Sequence, residues 1–318
     1  MTTLDNSCPI NNFIANRCSV GNFSCKSYIV TVFGDVLSQH DDWLWLGSLI
    51  EALKPLGYSE RLIRTSVFRL VQDDWLQVKK VGRKSFYAFT TSAKLHYEKA
   101  ARRIYAGTQD NWHGNWLLVL PSFVSEQAMP AFRRQLHWLG FSSLSSGVFA
   151  HPCIDQTSLE ETLKELKLTD SVVVFSCKTI DDSSANVLKV LVQKQWHISE
   201  LADQYQQLLT SYQALQDKII AKAKNQGKYQ EPSSTITEQQ CFLLRTLLIH
   251  EYRRVLLKDH ELPKQMLPEQ WQGFSVHQLV NNLYSDLAQP SLNYIRQQLQ
   301  NSSGGLPKEQ ETYWQRFN

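Results

Sequence analysis

The chain has no run of about 18 apolar residues, so no membrane-spanning helix is expected. Its first residues, MTTLDNSCPINNFIANRC, have neither a basic start nor a continuous apolar stretch. No secretory signal is read there, and a cytoplasmic location is expected. No two of the six cysteines stand at C-x-x-C spacing. Cys8, Cys18 and Cys25 cluster in an Asn-rich leader, which opens a metal or redox reading. Metal sites usually show tighter paired spacing, and a reducing compartment favours six free thiols. Glycine is scarce at 13 residues, and there is no glycine-rich phosphate loop, no G-x-S-x-G and no H-E-x-x-H. The nine histidines are scattered, none at ligand spacing with Cys, Asp or Glu. The expectation is therefore no metal, no cofactor and no catalytic constellation.

What is present is a stretch of uneven charge. From residue 61 to 103 there are 11 Lys and Arg against 3 acids, a net +8, while the whole chain carries only +3 and the remainder −5. Within it, SERLIRTSVFRLVQDDWLQVKKVGRKSFYAF at 59–89 divides into a helix and a hairpin. Ser59 is an N-cap residue, its hydroxyl placed to accept an orphan amide of a helix running to about Asp73. At 100° per residue Ile63, Val67 and Leu70 share one side, and Arg61, Arg64, Thr65, Arg69 and Gln72 the other. Phe68 falls on that polar side, where it either packs under the hairpin or touches thymine methyl groups. Two β-prone runs follow, 76–81 and 85–89, joined by Gly82-Arg83-Lys84, which is a hairpin signal. A basic helix face alone is more often merely solvated. Followed by a basic-tipped hairpin and set in concentrated positive charge, it has the footprint of a surface that binds nucleic-acid phosphates. The order of elements is that of a winged helix-turn-helix, with the helix in the major groove of double-stranded DNA and the hairpin at the adjacent backbone or minor groove.

At 318 residues and 42% hydrophobic, two or three domains with real cores are expected. Residues 1–25 read as a poorly ordered leader. A helix is predicted from about Lys26 through SYIVTVFGDVL, and a second over 47–56. The apolar run 43–46 is placed to pair with the hairpin. A connector helix covers 91–105, and 107–114 is the first boundary. The middle segment alternates: strand 116–120, helix 125–139, strand 142–150, helix 158–166 and a buried strand 172–176. This pattern predicts a small ferredoxin-like α+β domain, which hosts many functions and implies none.

Beyond 186 the signals are helical, with one long or broken helix over 188–209. A loop of linker composition lies at 225–236. Thr237 and Gln240 have capping-box spacing before a helix at 241–258 that is apolar nearly all round and hence buried. It nonetheless carries Arg245, His250, Glu251, Arg253, Arg254 and Lys258. Buried charges are expensive unless paired. Glu251 can reach Arg254 and Lys258, but one acid cannot serve four cations. The excess is either solvated at the domain edge or awaits an anion such as a phosphorylated ligand. His250 reads as a core histidine rather than a base. Trp196, Trp271 and Phe274 are plain core or an apolar pocket wall.

At this point the residues resemble the PaaX family, repressors of phenylacetic acid degradation operons. The matches are WLGSLIEAL at 45–53 with GYSERLIRTSVFRL at 57–70, VGRKSFYAFT at 81–90, and LLIHEYRRVLLKD at 247–259 with LPKQMLPEQWQG at 262–273. The last is the most specific, and the resemblance covers the chain after residue 26. Asp74 departs from the pattern, standing where the family usually has glycine in the helix-to-wing turn. The resemblance implies a homodimeric repressor on a palindromic operator, released by phenylacetyl-coenzyme A. It also implies an α+β multidomain plan, which the segments read above fit: a winged helix-turn-helix with its connector over 26–106, a ferredoxin-like domain over 107–184, and an all-helical ligand and dimer domain over 185–318; the leader over 1–25 is not part of the pattern. Carried over, Arg61, Arg64, Thr65, Arg69, Arg83 and Lys84 are the DNA-binding candidates. Arg253, Arg254 and Lys258 become candidates for the coenzyme's phosphates, with His250 beside them and Trp116, Trp196 and Trp271 as pocket walls. The alternative is an acyl-coenzyme-A-acting enzyme or a nuclease-like module. A nuclease of this fold needs paired acids at a strand end, and Asp170 stands alone.

Overall fold

In the computed structural model, residues 8–40, 42–105, 112–152, 156–224, 236–260 and 262–317 are described. Most of the boundary at 107–114, nearly all of the loop at 225–236, and Cys153 lie outside them. The chain forms two compact units, each discontinuous in sequence. The first comprises Met1–Gly107, Thr210–Leu256 and His277–Asn318, and the second Thr108–Leu209 and Leu257–Val276. The segment 185–318, expected to be one helical body, is thus shared between the two.

The described part of the leader, residues 8–25, is not irregular as its composition suggests. Pro9–Gly21 forms helix α1, with Pro9 in the first turn, where the missing amide costs nothing. Ile10 and Ile14, four residues apart, are buried on one stripe. The polar composition concealed a helix whose Asn and Arg side chains have partners far along the chain. Asn11 accepts from Gln240 Nε2 at 2.7 Å, and Arg17 pairs with Glu251. Helix α2, Cys25–Asp35, follows with Ser24 as its N-cap and every residue from Tyr28 to Asp35 buried. Next come the short strand β1 (Leu44–Trp45), helix α3 (Leu46–Leu53) and helix α4 (Glu60–Gln72). Strands β2 (Leu76–Val81) and β3 (Lys84–Phe89) form a hairpin, and helix α5 spans Thr91–Tyr105. The three strands make one antiparallel sheet in the order β1-β3-β2, so the run at 43–46 does pair with the hairpin. The loop is two residues, Gly82-Arg83, with Gly82 at φ 57°, a conformation glycine adopts without strain.

In the second unit, strand β4 is Trp116–Leu120, helix α6 Met129–Trp138, strand β5 Ser142–Ser145 and strand β6 Val148–His151. Helix α7, Gln156–Glu165, and strand β7, Val173–Cys177, complete a four-stranded antiparallel sheet in the order β5-β6-β4-β7. The single strand expected over 142–150 is two strands, because Gly147 at φ 75° turns the chain back on itself. Helices α6 and α7 bury one sheet face around Val119, Phe132, Leu136, Phe149, Leu159 and Leu163. The strand at 172–176 is not buried. β7 lies at the sheet edge, with Val173, Val174 and Phe175 exposed by 41, 39 and 50%. Its continuous apolar run imitates a central strand, but nothing among the described residues pairs with its outer side. Helix α8 spans Asp182–Gln195 and helix α9 Ile198–Lys224. The break expected near 188–209 falls at Trp196-His197, where His197 has φ 48°.

The remaining elements are helix α10 (Glu238–Leu256), helix α11 (Gly273–Gln298) and a small hairpin of β8 (Gln300–Asn301) and β9 (Gly304–Gly305). The capping box of α10 forms as read: Gln240 N–H donates to Thr237 Oγ1 at 3.2 Å and Thr237 N–H to Gln240 Oε1 at 2.9 Å.

Candidate nucleic-acid interface

Helix α4 is amphipathic as its spacing requires. Ile63, Val67 and Leu70 are buried at 1% exposure or less, whereas Arg61, Arg64, Thr65 and Arg69 are exposed. Ser59 Oγ accepts from Leu62 N–H at 3.2 Å and starts the helix. The far end closes as a Schellman turn: Trp75 N–H donates to the Leu70 carbonyl at 2.8 Å and Asp74 N–H to that of Val71 at 3.2 Å. This places Asp74 in the left-handed region at φ 58°, the conformation that glycine would take without strain. The Asp in place of the family's glycine therefore leaves the turn geometry intact. Thr90 secures it, its Oγ1 donating to the Asp74 carbonyl at 2.7 Å and its N–H to that of Trp75 at 3.1 Å.

The exposed cations differ in freedom. Arg64 is held by Glu60, with Nη2 at 2.8 Å and Nε at 3.0 Å from the same carboxylate oxygen. Thr65 Oγ1 donates back to the Arg61 carbonyl. Among the described residues no hydrogen bond or ion pair holds the side chain of Arg61, Arg69 or Arg83. Lys84 lies over the Trp45 ring at 4.2 Å, and Lys79 over Trp43 at 4.1 Å. These two cation–π contacts tie the basic hairpin to the segment around β1. The sequence reading missed them, although two tryptophans beside a lysine-rich strand were a usable signal. Phe68 is 61% exposed. It is not packed under the hairpin, so of the two readings left open for it only the outward one remains.

The ligand candidates divide between the two units. Trp116, Trp196, Lys258 and Trp271 belong to the second unit, and His250, Arg253 and Arg254 to the first. All three tryptophans are buried. Trp196 Nε1 donates to the Gly140 carbonyl at 3.3 Å, Trp271 packs edge-on to Tyr205, and Trp116 edge-on to Trp112. Phe274, by contrast, is exposed. Lys258 Nζ donates to Gln204 Oε1 at 2.8 Å. His250 is a core histidine, fully buried between Phe23 and Tyr28 with Nδ1 2.7 Å from Thr31 Oγ1. Burial, and then the guanidiniums of Arg253 and Arg254, push its pKa well below the ordinary histidine range. Among the described residues its Nε2 and the Arg253 Nε are buried without a hydrogen-bond partner. Arg254 lies over Phe23 and reaches the Gly21 carbonyl at 3.4 Å.

Glu251 does not serve Arg254 or Lys258. It binds Arg17 and accepts from Tyr212 O–H at 2.8 Å. Arg245, fully buried, pairs with Asp35 of α2 at 2.9 Å. Asp35 also accepts from Tyr105 at 2.7 Å, Tyr284 at 2.9 Å and Arg316 at 3.0 Å. Burial alone would raise the Asp35 pKa, but the two guanidiniums and these hydrogen bonds hold it below the usual carboxylate range. Sequence reasoning saw that Arg245 needed an acid but searched only its own helix. Asp35, ending an otherwise apolar helix, was the signal overlooked. Among the described residues Cys18, Cys25, Cys177 and Cys241 are free thiols, and burial pushes Cys18 up to about 12. Among the described residues no three His, Cys, Asp or Glu side chains gather as a metal site, and no helix is long and apolar enough to cross a membrane.

Comparison with known proteins decides the family. The model described as PaaX-like protein matches residues 24–93, the PaaX protein central Cas2-like domain 109–188, and the PaaX-like protein C-terminal domain 196–297. The chain belongs to the PaaX family. A curated PaaX relative, "Transcriptional repressor PaaX" of Escherichia coli (strain K12), is 32% identical over 308 residues, covering 97% of this chain and 94% of the relative. A solved structure, an uncharacterized protein Rv0674 from Mycobacterium tuberculosis, aligns with a TM-score of 0.51 at 20% identity, covering 81% of this chain and 94% of that one. At that identity the likeness concerns the fold alone. The PaaX models begin at residue 24, so helix α1 precedes all three matches.

Proposed function

We propose that this PaaX-family protein is a DNA-binding transcriptional repressor of phenylacetate-catabolism genes. The observation that carries the reading is the joining of an exposed arginine face on α4 to a basic-tipped hairpin, in a chain similar along its length to a protein named a transcriptional repressor. On this reading α2, α3, α4 and the β1-β3-β2 sheet are a winged helix-turn-helix. Arg61, Arg64, Thr65 and Arg69 face the major groove of double-stranded operator DNA, with Arg83 and Lys84 at the backbone. Arg64 would exchange Glu60 for a base or phosphate. The order β-α-β-β-α-β, with its β5-β6-β4-β7 sheet, supports a ferredoxin-like middle domain. The protein acts as a homodimer in the cytoplasm without a resident cofactor. The curated relative's name is that of a regulator, so the enzyme alternative is set aside.

The effector of this reading is phenylacetyl-coenzyme A. Arg253 and Arg254 are the candidates for its phosphates in the first unit, and Lys258, with Trp116, Trp196 and Trp271 as candidate walls, in the second; His250 supports α10 from the core. The unpartnered Arg253 Nε supports an anion in the first unit. Release requires that the thioester bind the DNA-free form more tightly than the DNA-bound form, since a ligand with equal affinity for both shifts nothing. The test is fluorescence anisotropy on the protein's own promoter, titrated with phenylacetyl-coenzyme A, free phenylacetate and free coenzyme A. Release by the thioester alone is expected. Binding without release removes the effector, and no promoter binding at moderate salt removes the repressor.

A further inference from the structure

Sheet edges are usually blunted by charge, proline or a bulge, because an open ladder invites another strand. Two edges here follow that rule. β2 carries Lys79 and Lys80, and β5 is serine-rich with an irregular register between Ser143 and Ser145. β7 has no such device. Its run Val172–Ser176 has no charge and no proline, Val173, Val174 and Phe175 are exposed, and no strand among the described residues pairs with its outer side. Charge appears only at its two ends, as Asp170 before the strand and Lys178 after it, both exposed and neither in an ion pair among the described residues.

We propose that β7 is a self-association seam, pairing antiparallel with β7 of a second copy about a two-fold axis at Val174. An axis perpendicular to the sheet keeps each side chain on its own face. Residue i then faces a residue of the same parity, and one residue faces itself. With Val174 at the axis, Val173 meets Phe175 and Val172 meets Ser176, and the 3-10 turn Thr169–Ser171 that carries Asp170 adjoins Lys178 of the other copy at both ends. This register matches opposite charges twice and covers the apolar residues of both strands. It joins two four-stranded sheets into one of eight. The proposal deepens the homodimer reading given above by naming the surface, and it stands apart from DNA binding.

The test is sedimentation equilibrium of the full chain without DNA. Val174→Lys sets two lysine side chains directly opposite each other, their Cβ atoms about 5 Å apart across the axis. It is expected to weaken association at least tenfold with an unchanged thermal melt. Asp170→Lys and Lys178→Asp each weaken it, and the D170K/K178D double variant restores it. Dimerisation unchanged in both Val174→Lys and Phe175→Lys overturns the seam while leaving a homodimer built elsewhere. A wild-type chain that stays monomeric overturns both. Failure of promoter binding alone leaves the seam standing.

Discussion

Asp35 gathers two guanidiniums and two phenol hydroxyls around one carboxylate. Its carboxylate is fully buried and serves Arg245, Arg316, Tyr105 and Tyr284. Such a group is costly to desolvate and more costly to orphan. Asp35→Asn strands two buried guanidiniums and is expected to lower unfolding stability by about 3–5 kcal/mol, read from urea denaturation. Histidine sets a second residue-scale expectation. His250, His40 and His277 all have pKa values lowered, chiefly by burial, and a buried neutral histidine must charge when the chain unfolds in acid. With the folded pKa below the unfolded value of about 6.5, their contribution is complete above that pH and lost as pH falls. The unfolding free energy, read from urea denaturation, should therefore drop between about pH 7.5 and 5.5, by no more than about 1.4 kcal/mol per pH unit for one fully buried histidine. His250→Gln should flatten that slope, and an unchanged slope would show that folding does not shift the pKa of His250.

The elements add their own tests. The Schellman turn that ends α4 places Asp74 at φ 58°. Relief of that strain predicts that Asp74→Gly raises stability by about 1 kcal/mol, visible as a higher melting temperature. The helix-to-hairpin angle should stay unchanged. Helix α1 contributes Ile10 and Ile14 to the core and Arg17 to Glu251. Removal of residues 1–21 should expose apolar surface, leave Glu251 without its arginine and lower the melting temperature. An unaltered melt would mean that α1 is not docked in solution. That helix also marks where sequence reading failed. Its polar residues are partnered by side chains more than 190 positions away, so no local pattern could announce them. The hairpin and α4 were legible because their amphipathicity, caps and turn glycine act within a few residues of each other.

Charge concentration acts at the scale of the whole molecule. The +8 balance between residues 61 and 103 makes the operator complex salt-dependent through counterion release. Arg83→Ala, a phosphate contact on the proposed reading, should weaken binding uniformly across DNA sequences and reduce the salt slope by about one. Arg64→Ala should instead cost about 1–3 kcal/mol concentrated at one base pair. Equal effects from the two substitutions would argue that Arg64 also reads only the backbone.

By itself the sequence determined the local structure: the caps of α4 and α10, the faces of α4, the hairpin, and the alternation of strand and helix in the middle segment. These follow from propensity and periodicity over short windows, where the physical partners are near neighbours. Only the tertiary structure decided which charges are paired, that the leader is a docked helix, that β7 is an edge and not a centre, and that the C-terminal helices divide between two units. Those outcomes depend on which distant surfaces meet. Arg245 needed an acid on any reading of its helix, but that the acid is Asp35, 210 positions away, is settled only when α10 packs beside α2.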